Sequence, residues 1–466
     1  MGKVTITFLG ATSTVTGSRF LVSSEKSKIL VDAGLFQGLK KVRLMNWEPF
    51  PVEPSSIDAL VLTHAHLDHC GYIPLLVRNG FTKEIVMTHY TGKLATVILR
   101  DSAFLQMEDA RYAQEKGFSK HPIPLPLYDE SDVERARQLF TTVEFRTRRQ
   151  LTPDAFVTFF PSGHILGAGF VLLEVDGKNF LFTGDMGRDN HPLLAPPDLP
   201  PKVPIDVVVT ESTYGDRVHD TPTATFAYEI NAAIKRGGSI LIPAFAVDRT
   251  EVILMALHEL IENGDIPKIP IYVDSPMALA ALDFYRDAVR TNSKEIREGV
   301  ADKWRNVDPF DSGNLSELHT VEESKSLNDI TKTSIIISAS GMATGGRVVH
   351  HLANKLPDAS NTVILVGFQA AGSRGRSLEE GQKEIKIHGR WVPVKATIVK
   401  VESFSVHADS DELVKWLRGV NAATKAPAQV FVVHGEPDSQ EFLAARLEKE
   451  LHWNVTIPKS AQVFEI

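Results

Sequence analysis

The chain has 466 residues, 43% apolar and 23% charged, which is too long for one hydrophobic core and too apolar for a disordered chain. Its net charge of −8 excludes a surface coated in positive charge for bulk nucleic-acid binding but leaves room for a local basic groove. The single cysteine, Cys70, excludes an intramolecular disulfide and fits a reducing compartment.

Met1 to Leu9 alternates like a strand and lacks a signal-peptide core, and no apolar run is long enough to span a bilayer; a cytoplasmic protein with no membrane role is expected. In the first half, apolar strands end in turns that carry small residues and one ligand-type side chain. Lys28–Val31 runs into Asp32, and Ile57–Leu62 runs into His64-Ala65-His66-Leu67-Asp68-His69. Phe156–Phe160 leads to His164, Asn179–Phe182 to Asp185, and Asp206–Val209 to Glu211. Such a layout fits a sheet whose strand ends face one site, with glycines permitting sharp turns. The Gly71–Arg78 stretch reads as a helix, and residues 91–150 as a helical excursion. From about 216 the rhythm becomes strand–helix units: Ser239–Ile242, Ile271–Val273, Ser334–Ile337 and Thr362–Val366 alternate with helices near 249–261, 277–289 and 347–356. This order implies a mainly parallel sheet with helices on its faces. Residues 292–330 read as surface helix and loop. After about 393 the first pattern returns, with Thr397–Val401 leading to His407 and Val430–Val433 to His434. The organisation predicted is one metal-site domain in two parts, 1–215 and 393–466, interrupted by an inserted α/β domain at 216–392.

Six of the sixteen histidines sit at strand ends of this kind: His64, His66, His69, His164, His407 and His434. The others, such as His121, His219 and His452, read as surface residues; His350 and His351 fall within a predicted helix and carry no expected chemistry. Imidazole and carboxylate suit zinc, and two Zn2+ ions can be satisfied. His64, His66 and His164 hold the first; Asp68, His69 and His434 hold the second; Asp185 bridges both. A pair of ions about 3.5–4 Å apart activates a water and clamps the oxygens of an in-line displacement. Asp68 accordingly counts as both ligand and catalytic residue. Asp32 is expected to orient a histidine rather than bind metal. Cys70, although adjacent to His69, is read as a small buried residue.

These segments resemble the metallo-β-lactamase superfamily, and specifically its β-CASP branch of nucleic-acid nucleases, over nearly the whole chain. Asp32, the His64–His69 cluster, His164 and Asp185 fit the superfamily's four successive motifs. Glu211 in Thr210-Glu211-Ser212-Thr213-Tyr214, His407 in Phe404-Ser405-Val406-His407-Ala408-Asp409, and His434 in Val433-His434-Gly435-Glu436 fit the three that the branch adds. The resemblance implies an αββα metallo-β-lactamase sandwich interrupted by a β-CASP α/β domain. It also makes His434 a zinc ligand and pairs His407 with Glu211. His407 can then act as a general acid towards the departing ribose oxygen, with Glu211 fixing its orientation and favouring its charged form. Histidine at the third motif is associated with RNA enzymes. The compact bacterial and archaeal relatives of the eukaryotic cleavage and polyadenylation endonuclease are the members resembled. Neither the N-terminal KH modules of some archaeal relatives nor the C-terminal domain of ribonuclease J is expected.

The inserted domain carries further family stretches, Pro243–Thr250, Val273–Ala278 and Ser338–Met342, with one departure: Asp248 stands where relatives often have glycine, which is expected to alter that loop or its contacts with an anionic substrate. Ser338, Ser340 and Gly341 are candidate phosphate donors, as are Arg374 and Arg376 in a basic loop over 369–376. Arg249, at a helix start, is expected to help hold the two domains together.

The leading expectation is therefore a two-zinc ribonuclease acting on single-stranded RNA admitted to a cleft between domains, endonucleolytic or 5′-to-3′ exonucleolytic, with 5′-phosphate and 3′-hydroxyl products implied by the resemblance. A hydrolase of small esters or thioesters is opposed by the inserted domain and the Glu211–His407 pair. A non-catalytic RNA-binding subunit is opposed by the complete ligand set. Homodimerisation is an expectation of the resemblance alone.

Overall fold

The structure, a computed structural model, describes residues 2–116, 123–219, 224–401, 404–420 and 426–466. His121 and Ser403 lie outside these residues. Two compact units carry the chain: Met1–Gln37, Lys41–Val218 and His407–Ile466 form one, and Gly38–Lys40 with His219–Val406 form the other.

The first unit is built on two seven-stranded sheets. Alternation along their strands decides what each face meets. Ile6, Phe8, Val31, Val61, Phe159, Val171, Phe180, Phe182, Val209 and Phe431 interlock in one buried cluster. The opposite-pointing Leu172, Leu181, Val208, Val430 and Val432 pack instead with Leu413 and Leu417 of helix Ser410–Leu417 and Leu443 and Leu447 of helix Pro437–Leu451. Both faces being apolar explains why these strands read as continuous hydrophobic runs. The arrangement is the αββα sandwich predicted.

Residues 91–150 are only partly helical. After helices His89–Lys116 and Glu130–Arg137 come strands Phe140–Val143 and Arg149–Thr152. The first pairs in parallel with Ile85–Thr88, and its Thr-Thr-Val run favours the pleated conformation. The charged residues nearby obscured that signal.

The second unit holds a six-stranded, wholly parallel sheet in the order Leu315–Glu317, Ile271–Val273, Ile335–Ser338, Ile240–Pro243, Thr362–Leu365, Thr397–Lys400. Leu241, Ile336, Val363 and Leu365 pack there with Val348, Val349, Leu352 and Leu356 from helix Arg347–Lys355 and its end. The junction expected at 215 falls at Val218, and the return to the first unit falls at His407 rather than 393. The reason is strand Thr397–Lys400, which pairs with Thr362–Leu365 and forms an edge of the inserted sheet. An apolar strand pattern does not state which sheet the strand will join.

Candidate metal centre

Strand direction brings the ligand-type residues together. Lys28–Val31 and Ala59–Val61 are parallel neighbours, as are Lys178–Phe182, Val207–Thr210 and Gln429–Val432. Ala155–Pro161 runs in the same sense as Lys178–Phe182, two antiparallel pairings away. Their C-terminal ends, carrying Asp32, the His64–His69 turn, His164, Asp185, Glu211 and His434, therefore share one edge of the first unit. Backbone bonds fix the turns to each other: Ala33 N–H donates to His69 C=O (2.7 Å) and Ser18 N–H to Asp68 C=O (2.9 Å). Gly34 is required there, since a Cβ would stand 1.6 Å from the Asp68 carbonyl oxygen.

Two groups of donors result. In the first, His66 Nδ1 lies 3.2 Å from His64 Nε2 and 3.1 Å from His164 Nε2, and Asp185 Oδ2 lies 3.5 and 3.6 Å from the latter two. In the second, His434 Nε2 lies 3.2 Å from His69 Nε2 and 3.4 Å from Asp68 Oδ2, while Asp185 Oδ1 lies 3.3 Å from His69 Nε2. Ligand atoms on a common tetrahedral zinc stand about 3.3–3.4 Å apart, given the usual bond lengths. The observed spacings fit that edge, and the donor set is the nitrogen and oxygen mixture zinc takes. Asp185 Oδ1 is buried and accepts no hydrogen bond among the described residues.

Charge tells the same story. Burial first, with neighbouring His69, holds His64 well below its ordinary pKa, and burial brings His66 down to about 4 despite Asp68 and Asp185. Both rings are neutral, with lone pairs to offer. At the second group burial again opposes charge, but Asp185 and Asp32 overcome it and raise His69, and Asp185 and Asp68 raise His434. Asp185 is itself lowered: burial is outweighed by His434, His69 and His64. The carboxylates thus draw protons onto imidazoles at positions where a cation would supply the same charge.

Asp32 accepts from His69 Nδ1 (2.7 Å) and, on the same oxygen, from Thr63 Oγ1 (2.9 Å). Since that hydroxyl proton is committed to Asp32, His64 Nδ1 is the donor in its 3.1 Å contact with Thr63 Oγ1. One carboxylate thereby sets two tautomers, each leaving Nε2 facing the centre. Thr213 Oγ1, 3.1 Å from His434 Nδ1, holds the ring of His434. The sequence pointed to neither Thr63 nor Thr213: Thr63 offered the signal of a hydroxyl residue directly before a ligand, whereas Thr213 stands 221 residues from His434 and meets it only through the fold.

Glu211 is buried, its Oε1 accepting from Met186 N–H (2.5 Å) and its Oε2 lying 3.2 Å from His407 Nδ1. His407 stacks obliquely on His164 at 4.4 Å between ring centroids. Side-chain exposure is 15% at His407 and 19% at Asp68, against 5% or less at His64, His164, Asp185 and His434, so solvent reaches the centre beside His407 and Asp68. Cys70 is buried and donates its thiol to Ala65 C=O (3.1 Å), away from the cluster.

The residues proposed for phosphate contact all belong to the second unit, and the side chains of Ser338, Ser340, Arg374 and Arg376 are engaged there. Ser338 is buried and donates to Asp274 C=O (2.8 Å). Ser340 accepts from Thr344 N–H (3.0 Å), and Gly341 lies against Phe245, where a Cβ would come within 2.7 Å of the ring. Residues from Arg374 onward are not loop but helix Arg374–Glu379, started by the Ser373 cap. Arg374 donates to the carbonyls of Lys386, Ala343 and Thr344, and Arg376 to Glu380 and Gln369. Asp248 has φ 68° and closes a tight turn in which Arg249 N–H bonds Val247 C=O (2.9 Å), a strained conformation that suits glycine. Its buried carboxylate accepts from Tyr285 (2.7 Å), so it faces the interior rather than an anionic substrate. His351 is buried against Asp274 (2.6 Å), and His350 stacks on His388. Arg249 donates to Val366 C=O (2.5 Å) within the second unit.

Three family models match the chain: the metallo-beta-lactamase superfamily over 15–222, the Beta-Casp domain over 250–378, and the Zn-dependent metallo-hydrolase RNA specificity domain over 391–458. A ribonuclease of Thermus thermophilus is 34% identical over 92% of both chains. An RNase J-like protein of Methanocaldococcus jannaschii is 31% identical over 99% of this chain and 100% of its own. A transcription termination factor, FttA of Pyrococcus horikoshii, is 30% identical over 99% of this chain and 71% of its own. A crystal structure of a protein of unknown function from Enterococcus faecalis shares the fold, with a TM-score of 0.53 and 13% identity over the full length of both chains.

Proposed function

The chain belongs to the β-CASP ribonuclease family of the metallo-β-lactamase superfamily, and from that premise we propose that it is a metal-dependent ribonuclease that cuts phosphodiester bonds within single-stranded RNA. The convergence of His64, His66, His164, Asp185, Asp68, His69 and His434 on one strand-end edge, with the Glu211–His407 pair alongside, carries this reading. Two zinc ions per chain are proposed, the first held by His64, His66 and His164, the second by Asp68, His69 and His434, with one oxygen of Asp185 for each. Bound zinc would activate water and stabilise charge on the phosphate oxygens.

The protein's own groups do the rest. Asp32 keeps His64 and His69 in the tautomers that present Nε2. Glu211 fixes His407 through Nδ1, and protonated His407 delivers its other proton to the leaving ribose oxygen. A cytoplasmic, homodimeric state is part of the proposal, and light scattering of the purified chain tests the dimer.

Metal analysis combined with digestion of end-labelled RNA in 5′-phosphate, 5′-triphosphate and circular forms is the deciding experiment. Opening of the circle is expected. Short products from the monophosphate form alone would replace endonuclease with exonuclease. His407→Ala should lower cleavage by about 10²–10⁴-fold while zinc content stays nearly unchanged. Loss of zinc together with activity would overturn the separate role of His407.

A further inference from the structure

The second unit carries a feature that the metal centre does not use. Strands Glu384–Ile387 and Arg390–Pro393 pair antiparallel as a hairpin separate from the six-stranded sheet. His388 and Gly389 make its two-residue turn, both at positive φ as a tight hairpin of matching twist requires. Ile385 and Ile387 anchor one face in the unit's core, with Val392 packed against it. The His388 ring lies on His350 at 4.5 Å, and Arg374 donates to Lys386 C=O (3.0 Å), so the hairpin is held at its tip and along its length.

The other face is open. Trp391 is 62% exposed, and the register sets it directly opposite Lys386. Its ring has no aromatic or cation–π partner among the described residues. Lys386 and Glu384 share that face, Glu384 being the one carboxylate in the stretch, and Lys383, Arg390 and Lys395 are exposed along the margins of the hairpin. None of the four cations makes an ion pair among the described residues, although many arginines elsewhere do. Within a chain of net charge −8, this is a local concentration of unneutralised positive charge around a rigidly mounted indole.

We propose that the hairpin Glu384–Pro393 is a stacking platform for single-stranded RNA, with a base on the Trp391 ring and Lys386, which shares its face, on a flanking phosphate. The inference rests on the ribonuclease reading and adds to it a binding surface outside the metal centre. An indole face accepts any base, and a cation beside it holds the backbone, which together give affinity with little sequence preference. A purely acidic protein surface would satisfy the lysines but would leave the indole without a planar partner.

Anisotropy of a labelled phosphorothioate oligouridylate, chosen to resist cutting, tests this on the full chain across a salt series. Trp391→Ala should weaken binding about tenfold, within the range seen for base–aromatic contacts, and Trp391→Phe by only about twofold. Lys386→Ala should flatten the slope of log affinity against log salt by about 0.7. Unchanged affinity in Trp391→Ala, with the wild type still cutting RNA, overturns the platform and leaves the ribonuclease intact. A wild type that neither binds nor cuts RNA overturns both. Equal binding of polyglutamate, weakened alike by Trp391→Ala, would assign the face to an acidic protein and overturn the RNA proposal.

Discussion

Asp32 touches no proposed substrate, yet two imidazoles depend on it. Asp32→Ala should free His69 to flip and release Thr63 from its orientation, lowering zinc affinity or activity about 10–100-fold. Titration of the metal-free variant with zinc checks this; wild-type affinity would refute the orienting role. A different residue governs a pH effect. Glu251 is fully buried with no hydrogen-bond partner on either oxygen among the described residues. Burial first, then neighbouring Asp248, raises its pKa well above the ordinary carboxylate value. The folded state thus keeps a proton that the unfolded chain releases. This contribution to stability is whole below the unfolded pKa, about 4.5, and is lost as pH climbs from there through the folded pKa. Glu251→Gln has no such loss, so its melting temperature relative to wild type should rise between acid and neutral pH. A constant difference would mean that Glu251 is ionised in the folded protein.

Element boundaries show what local sequence can carry. Ligand-bearing strand ends were legible because each joined an apolar run to a small-residue turn and one donor, as in Phe180-Leu181-Phe182-Thr183-Gly184-Asp185. The same logic failed at Thr397–Lys400, whose membership of the inserted sheet is a long-range pairing choice. Nor does local sequence state that the Ser338 and Arg374 donors are engaged by backbone carbonyls. Asp248 was visible as a departure from glycine, but only its positive φ and its bond to Tyr285 explain how an aspartate is tolerated. Helix Ser410–Leu417 follows His407 closely and begins with a reciprocal cap, Asp409 accepting from Asp411 and Glu412 N–H while the Glu412 side chain accepts from Asp409 N–H. Asp409→Ala should destabilise by about 0.5–2 kcal/mol, and Asp409→Asn by much less. Denaturant unfolding measures both; equal losses would show that charge rather than capping matters there.

At the scale of the whole molecule, chemistry and candidate binding surface are divided between units with separate cores. Every proposed zinc ligand lies in the first unit, and Glu251 lies in the second. A ligand that binds only the folded state stabilises it by mass action, about 2.7 kcal/mol per site at a hundred times its dissociation constant. Zinc should therefore raise the unfolding temperature of the first unit, and chelation should lower it. Glu251→Gln should act on the second. Calorimetry of the full chain, with and without chelator, should then show two transitions, each moved by one of these changes. A single transition shifted by both would show that the two cores unfold together, and that occupancy of the metal centre is felt throughout the protein.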